Sequence, residues 1–398
     1  MQPITYIIPT RNRSQVLERT LADIQALHHS PQSNPRNPHT ALNSNIPAPH
    51  IIIIDNASEP PLSPDFITAF TNQSGFPTTL LSLNDNRGCA ARNLGAQHAT
   101  TPWIIMLDDD SYPTSLDFIP SLHTYPAHIA AVMADITLPN NTREAGGLPE
   151  VFTGCGVAFR RESFLACNGY DPTFHYYAEE YDLAAKLIAA GHTITFNPTF
   201  KVRHEKHTSQ RDMNTILSRL VRNNAWVMQR YAPDLLRRTM VQSTIVRYRQ
   251  IANRESALRG YREGLLDFAH SRHAQPRTPL SHKHWNRFIG AAAARSCLDH
   301  HLTIAPFSAC AIIDRGKGSD TILQILHERG IQLVPPLHTD IWIIGTLSHG
   351  PAANTLDRLS VGSTGNAARN KRLLTLTPWA NCLPQSSQAT VQFPSLTQ

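Results

Sequence analysis

The stretch WIIMLDDDSYP sets three consecutive aspartates, Asp108, Asp109 and Asp110, directly after an apolar run. Carboxylates packed this closely raise one another's pKa values unless a cation balances them. Hard divalent cations such as Mg²⁺ or Mn²⁺ take carboxylate and phosphate oxygens together, so a diphosphate would complete such a shell. A second cluster, LNDNRGCAARNLGAQHA, offers Gly88 and Gly95 for close backbone approach, and Arg87 and Arg92 to face phosphate or carboxylate. A third, TGCGVAFRRESFLACNGYDPTFHYYAEEYDLAAKL, carries Glu179 and Glu180 behind the aromatic run His175, Tyr176 and Tyr177. Acidic residues in a first helical turn are ordinary dipole partners. Adjacent glutamates in partly apolar surroundings also suit a general base. His204, in KVRHEKH, follows an apolar run and is of a type that binds metal or phosphate. HEKH is not HExxH, which excludes a metalloprotease helix.

These residues need elements to hold them. Ile4–Ile8, the four isoleucines Ile51–Ile54, Leu80–Leu83 and Trp103–Leu107 read as strands, the isoleucine run as one buried on both faces. Ser14 reads as the cap of a helix with Val16, Leu17, Thr20, Leu21, Ile24 and Leu27 on one face, and residues 89–98 read as another helix. Residues 28–50, rich in Pro, Asn, Ser and His, read as a flexible loop. The alternation predicts a mostly parallel α/β sheet, with ligands bound beyond the carboxyl ends of its strands.

In this order and spacing the clusters YIIPTRNR, IIIIDNAS, NDNRGCAARNLGA, IIMLDDD, TGCGVAFRRESF and GYDPTFHYYAEEYDLAAKL, with His204, resemble the family-2 glycosyltransferases of the GT-A fold, in particular their rhamnosyltransferase-like branch. The resemblance covers residues 3–206. It implies a nucleotide-sugar donor, with Pro9, Thr10, Arg13 and Asp55 at the nucleoside, Arg92 near the diphosphate or sugar, and Asp108 and Asp109 also on the donor. Asp108 and Asp110 match the ends of the family's DxD motif. With His204 they would hold a Mn²⁺ or Mg²⁺ ion, the metal touching Asp110 most directly. Where the family carries a Glu-Asp pair this chain has Glu179-Glu180, so Glu180 takes the position of the base. One base and one metal suit a single displacement with inversion. A glycan or lipid-linked acceptor is implied, with surface polysaccharide or glycolipid as product. The family's usual short helix-to-strand turn is replaced by the long 28–50 loop.

Composition narrows the alternatives. The 398 residues are 41% hydrophobic and 17% charged, which excludes a wholly disordered chain. No apolar run approaches the roughly 20 residues that span a bilayer, and MQPITYIIPTRNR does not read as a signal peptide. Cys89, Cys155, Cys167, Cys297, Cys310 and Cys382 are scattered without a CxxC pair, so they read as small buried hydrophobes of a cytoplasmic protein. Residues 201–275 hold fifteen Lys/Arg against six Asp/Glu, a surplus of +9 in a chain of net charge +6. That block, interspersed with Trp226, Tyr231, Tyr248 and Tyr261, reads either as a solvated helical face or as the contact for an anionic partner, for which peripheral association with anionic membrane at its inner face is expected. No nucleic-acid motif accompanies it.

The organisation read from these patterns is a GT-A domain over 1–207, a basic helical extension over 208–297 and a small Rossmann-like α/β module over 298–380. A disordered tail over 381–398 completes it. The module carries DRGKGS between a strand (Cys310–Ile313) and a helix (Thr321–Arg329), a loop type that can cradle phosphate. A role in packing, homodimerisation or nucleotide sensing is expected of it. Two rival readings remain at this stage. One is a non-catalytic nucleotide-sugar sensor or assembly scaffold. The other is a sugar-nucleotidyltransferase, although PTRNRS lacks that class's glycine-rich loop.

Overall fold

The computed structural model describes residues 1–30, 46–206, 212–361 and 371–383. Most of the 28–50 loop and the tail beyond Leu383 fall outside the described residues. The chain opens with β1 (Thr5–Thr10), α1 (Ser14–His29), β2 (His50–Asn56), α2 (Pro64–Ser74), β3 (Thr78–Leu83) and α3 (Ala91–His98). It continues through β4 (Trp103–Met106), β5 (Ser111–Pro113), α4 (Ile119–Thr124), β6 (Ile129–Thr137), β7 (Arg143–Glu144) and β8 (Val157–Arg160). Then come α5 (Arg161–Ala166), α6 (Glu179–Ala189) and β9 (Thr193–His204).

The nine strands form one sheet in the order β3-β2-β1-β4-β8-β6-β9-β5, with β7 on β6. Strands β1 to β4, β6 and β9 run one way, while β5, β7 and β8 run the other. This is the mixed, mostly parallel α/β sheet expected of a GT-A fold. Side-chain alternation explains why it is buried on both faces. Ile52 and Ile54 enter one core with Ile7, Ile104 and Met106, packed against α3 and α6. Ile51 and Ile53 enter the other with Tyr6, Trp103 and Ile105, packed against α1 and α2.

Helix α1 begins differently from the sequence reading. Its cap is Arg13, whose carbonyl accepts the Val16 and Leu17 N–H groups, and Ser14 is the first helical residue. The Arg13 side chain is drawn instead to Asp109 and Asp110.

Helices α7 (Met213–Tyr231), α8 (Asp234–Arg254) and α9 (Leu258–Ser271) follow. Gly260 and Gly264 let α9 approach the α7 backbone closely, since a Cβ at Gly260 would lie 2.0 Å from the Asn214 carbonyl oxygen. Trp226, Tyr231, Tyr248 and Tyr261 are all buried. These aromatics therefore cannot meet a membrane as their sequence setting suggested, because helix packing turns them inward. Leu235, Val246, Leu258 and Leu266 are the large apolar residues left exposed on α8 and α9. Among the described residues no helix is long and apolar enough to cross a membrane.

Helix α10 (His282–Phe288) packs Trp285 and Phe288 into the first core. Its Arg287 donates to Glu150 and, at 2.6 Å, to the His192 carbonyl. After α11 (Ala291–Ile304) a second sheet is formed by β10 (Ala309–Ile313), β11 (Gln332–Leu333), β12 (Ile341–Ile344) and β13 (Arg372–Leu374). It is parallel throughout, in the order β11-β10-β12-β13, with α12 (Ser319–Glu328) and α13 (His349–Val361) as crossovers. A short 3₁₀ turn occupies Ala380–Cys382, where the tail was expected to begin.

Candidate active site

The aspartates lie where β4 ends beside β1. Leu107 N–H still bonds to the Ile7 carbonyl, and Asp108 then leaves the sheet with its N–H on the Ser111 hydroxyl at 2.8 Å. Three cations meet the three carboxylates. Arg92, buried on α3, donates to Asp108 and to the Leu107 carbonyl. Arg13 spans the other two, 2.7 Å from Asp109 and 2.7 Å from Asp110. His204 closes β9 with Nε2 3.3 Å from Asp110 and 4.0 Å from Asp108. The charge that the sequence left unbalanced is thus matched from α1, α3 and β9.

Each carboxylate responds differently. Burial pushes the Asp109 carboxyl up to about 7, against the pull of Arg13 and a 2.7 Å hydrogen bond from Thr10. Burial also opposes ionisation of Asp110, but hydrogen bonds from His204 and Arg13 hold its pKa below the ordinary carboxylate range. Burial would lower the His204 pKa, yet Asp110, Cys155 and Glu144 outweigh it and raise it. Glu144 is held down to about 2 against burial by His204 and Lys206.

Glu144 and Cys155 were not singled out as site residues in the sequence. Glu144 accepts from His204 Nδ1 at 2.7 Å and from Lys206 Nζ at 2.6 Å. A carboxylate on Nδ1 fixes the ring and frees Nε2 for a ligand, the usual support of a metal-binding histidine. Ligand atoms of Asp108, Cys155 and His204 all lie within 4.8 Å of one another. A hard ion prefers the carboxylates and imidazole over the thiol, and burial pushes the Cys155 thiol up to about 12, against the pull of His204. Asp108, Asp110 and His204 offer oxygen and nitrogen atoms that could hold a divalent cation. Cys155 is a neutral wall. Among the cysteines only Cys382 is exposed.

Glu179 and Glu180 begin α6 on a backbone that needs support. His175, Tyr177 and Ala178 all have positive φ, at 61°, 72° and 67°, a conformation costly for side chains of this size. Buried Asn223 of α7 donates its amide to the carbonyls of Phe174, Tyr176 and Tyr177 at 3.0, 2.9 and 2.7 Å. Asp182, also buried, accepts from Arg230 at 2.9 Å and from the Tyr231 hydroxyl at 2.7 Å. Burial raises both glutamates' pKa values, Glu180 adding to the rise at Glu179, while Arg92 opposes it at each. Gly154 lies beside Glu180, where a Cβ would stand 3.7 Å from Oε1. Lys317, from the loop between β10 and α12, reaches the Tyr181 hydroxyl at 3.3 Å, next to Glu180. No sequence pattern announced that contact.

Thr10, Arg13, Arg92, Asp108, Asp109, Asp110 and His204 are therefore joined by direct contacts, and Glu180 faces Arg92 and Asp108 electrostatically. Pro9 stands one residue back on β1. Asp55, at the same register as Thr10, stands apart. Its carboxylate accepts the Ser58 and Leu62 N–H groups at 2.9 and 2.8 Å and shapes the loop after β2.

Comparison with known proteins bears on this site. The chain is 25% identical over 235 residues to the pre-mycofactocin glycosyltransferase of two Mycobacterium tuberculosis strains, covering 52% of this chain and 44% of those proteins. It thus spans less than half the length of these relatives. A crystal structure of GalNAc-T7 with UDP, GalNAc and Mn²⁺ is similar at a TM-score of 0.45 and 16% identity, over 59% of this chain and 49% of that one. The Pyrobaculum calidifontis mannosyltransferase PcManGT, in complex with GDP-Man and Mn²⁺, is similar at 0.43 and 18%, over 68% and 76%. Residues 5–132, which hold Thr10, Arg13, Arg92 and the three aspartates, match the model of glycosyl transferase family 2.

Proposed function

We propose that the protein is an inverting glycosyltransferase that moves a sugar from a nucleotide-diphosphate donor to a hydroxyl of a glycan or glycolipid acceptor. One observation carries the reading. The aspartate cluster, balanced by Arg13, Arg92 and His204, lies at the strand ends near Glu179 and the half-buried Glu180, both of raised pKa. A Mn²⁺ or Mg²⁺ ion held by Asp108, Asp110 and His204 would neutralise the charge on the departing diphosphate. Arg13 and Thr10 orient the aspartates, and Arg92 faces the phosphate and sugar. Asp55 shapes the loop that borders the nucleoside. Glu180 accepts the acceptor's hydroxyl proton as its oxygen bonds to the anomeric carbon and the bond to the diphosphate breaks. A raised pKa suits that role, because it makes the carboxylate a stronger base than an ordinary glutamate.

The division at 207, 297 and 380 is part of this reading, as is placement in the rhamnosyltransferase-like branch. So is a cytoplasmic enzyme held peripherally at the membrane's inner face, its positive surplus and exposed Leu235, Val246 and Leu266 supporting the membrane contact. The sensor or scaffold reading draws support from the contact of Lys317 with the Tyr181 hydroxyl, which ties the C-terminal module to α6. Glu180→Gln separates the two. With a nucleotide sugar and a mixed glycan acceptor pool, the enzyme reading expects turnover to fall about a hundredfold or more while donor binding persists. A wild-type protein that binds donor and never consumes it would support the sensor.

A further inference from the structure

In DRGKGS, the loop between β10 and α12, the lysine reaches another part of the chain. Lys317 Nζ stands 3.3 Å from the Tyr181 hydroxyl of α6 and 5.8 Å from the centre of its ring. The backbone beneath it is fixed. The Lys317 carbonyl accepts the Leu347 N–H and the Thr346 hydroxyl, each at 3.0 Å, and Gly316 N–H donates to the Gly345 carbonyl at 2.8 Å. The loop between β7 and β8 leaves room for the lysine with a glycine, since a Cβ at Gly147 would lie 2.1 Å from Lys317 Cδ and 2.3 Å from the Tyr181 hydroxyl. Arg247 and Tyr248 of α8 complete the group, with the guanidinium 5.2 Å from the Tyr248 ring centre.

Charge is out of balance at this junction. Among the described residues neither Lys317 nor Arg247 has a carboxylate within ion-pair distance, and both are exposed, so a ligand can reach them. Tyr181 raises the Lys317 pKa, whereas Arg247, a like charge nearby, pulls it down. Three separate parts of the chain thus bring two unneutralised cations and a phenol together. Two cations match a dianion better than the single charge of a carboxylate, and phosphate oxygens accept from ammonium, guanidinium and phenol alike. Position links the group to sugar transfer. Tyr181 directly follows Glu180, and Gly147 stands three residues after Glu144, the support of His204.

We infer that Lys317, Arg247 and the Tyr181 hydroxyl form a subsite for a phosphate group carried by the acceptor. The inference rests on the glycosyltransferase reading and names the acceptor's chemistry. The phosphate is anchored by the C-terminal module and α8 while a hydroxyl of the same molecule is presented to Glu180. It also gives the module a task in substrate choice.

The test is calorimetric titration of the full chain in metal-free buffer with glucose 1-phosphate and with geranyl phosphate, and with glucose and geraniol as uncharged controls. At least one phosphate should bind saturably at one site per chain, and its uncharged counterpart should not. Tighter binding of the geranyl compound assigns a lipid-borne phosphate, tighter binding of the glucose compound a sugar-borne one, and either supports the subsite. Lys317→Gln, which keeps a donor for Tyr181 but removes the charge, should bind about tenfold more weakly or worse, and so should Arg247→Gln. Both variants should melt within about 2 °C of wild type, because the replaced side chains are exposed. Asp110→Ala should bind the phosphate as wild type does. Absence of saturable binding by either phosphate overturns the inference, as does equal binding by Lys317→Gln. Binding lost in Asp110→Ala but kept in Lys317→Gln also overturns it, by placing the phosphate at the aspartates. Nucleotide binding by Lys317→Gln in Mn²⁺, measured alongside, tests the glycosyltransferase reading separately and should equal wild type.

Discussion

Asp182 is the residue through which the helical extension holds the first turn of α6, and Asp182→Ala tests that link. Its Oδ1 receives hydrogen bonds from Arg230 and Tyr231, its other oxygen lies 3.0 Å from Lys186 Nζ, and the side chain is fully buried. Truncation leaves the Tyr231 hydroxyl without this acceptor. It leaves Arg230, 3% exposed, with Asp171 at 2.6 Å, the Thr173 hydroxyl and Gln275 as its remaining partners. Breaking a buried pair from one side costs about 3–5 kcal/mol. At roughly 2–4 °C per kcal/mol for domains of this size, the melting temperature should fall by about 6–20 °C, read by circular dichroism. Asp182→Asn, which keeps an acceptor oxygen, should fall by less. Below the melting range, Asp182→Ala should also turn over more slowly than wild type, because Glu179 and Glu180 share the loosened turn. A melting temperature within about 2 °C of wild type would refute the view that this contact anchors α6.

Glu144→Gln keeps an acceptor near His204 Nδ1 but removes the charge, so Mn²⁺ affinity should drop about 10- to 100-fold, measured by titration of the purified variant. The transfer rate should have an acid limb above the 4.5 of an ordinary glutamate, since burial raises the Glu180 pKa and protonation removes the base as pH falls; a limb at or below 4.5 would contradict the assignment. Gly260→Ala would drive a Cβ to 2.0 Å from the Asn214 carbonyl oxygen. It should destabilise the protein by about 1–3 kcal/mol, seen as an earlier denaturant midpoint.

Much of this fold was legible because its signals are local. Four isoleucines in a row fit only a strand buried on both sides, and β2 splits them two by two between the cores. The aspartate run marked the end of β4, whereas Arg92 and His204, weak signals singly, entered the reading through the family resemblance, and the fold brings both to the aspartates. What escaped depends on partners distant in sequence. Glu144 lies in NNTREAGG, which has no periodicity, and matters only because β7 brings it to a histidine 60 residues on. Residues 222–226, RNNAW, resemble the helical extension of some family members, but the role of Asn223 emerges only where α7 docks it against the carbonyls of Phe174, Tyr176 and Tyr177. The aromatics of the basic helices misled for the same reason. A sequence shows that Tyr248 and Tyr261 occur among arginines, but the packing of α7, α8 and α9 decides that they face inward.

Calorimetric titration of UDP, dTDP and GDP, with and without Mn²⁺, on wild type and on Asp110→Ala tests the central claim most directly. The account predicts that one nucleotide binds only when Mn²⁺ is present and that Asp110→Ala abolishes the binding. No binding of any nucleotide under either condition, or equal binding by the variant, would contradict it.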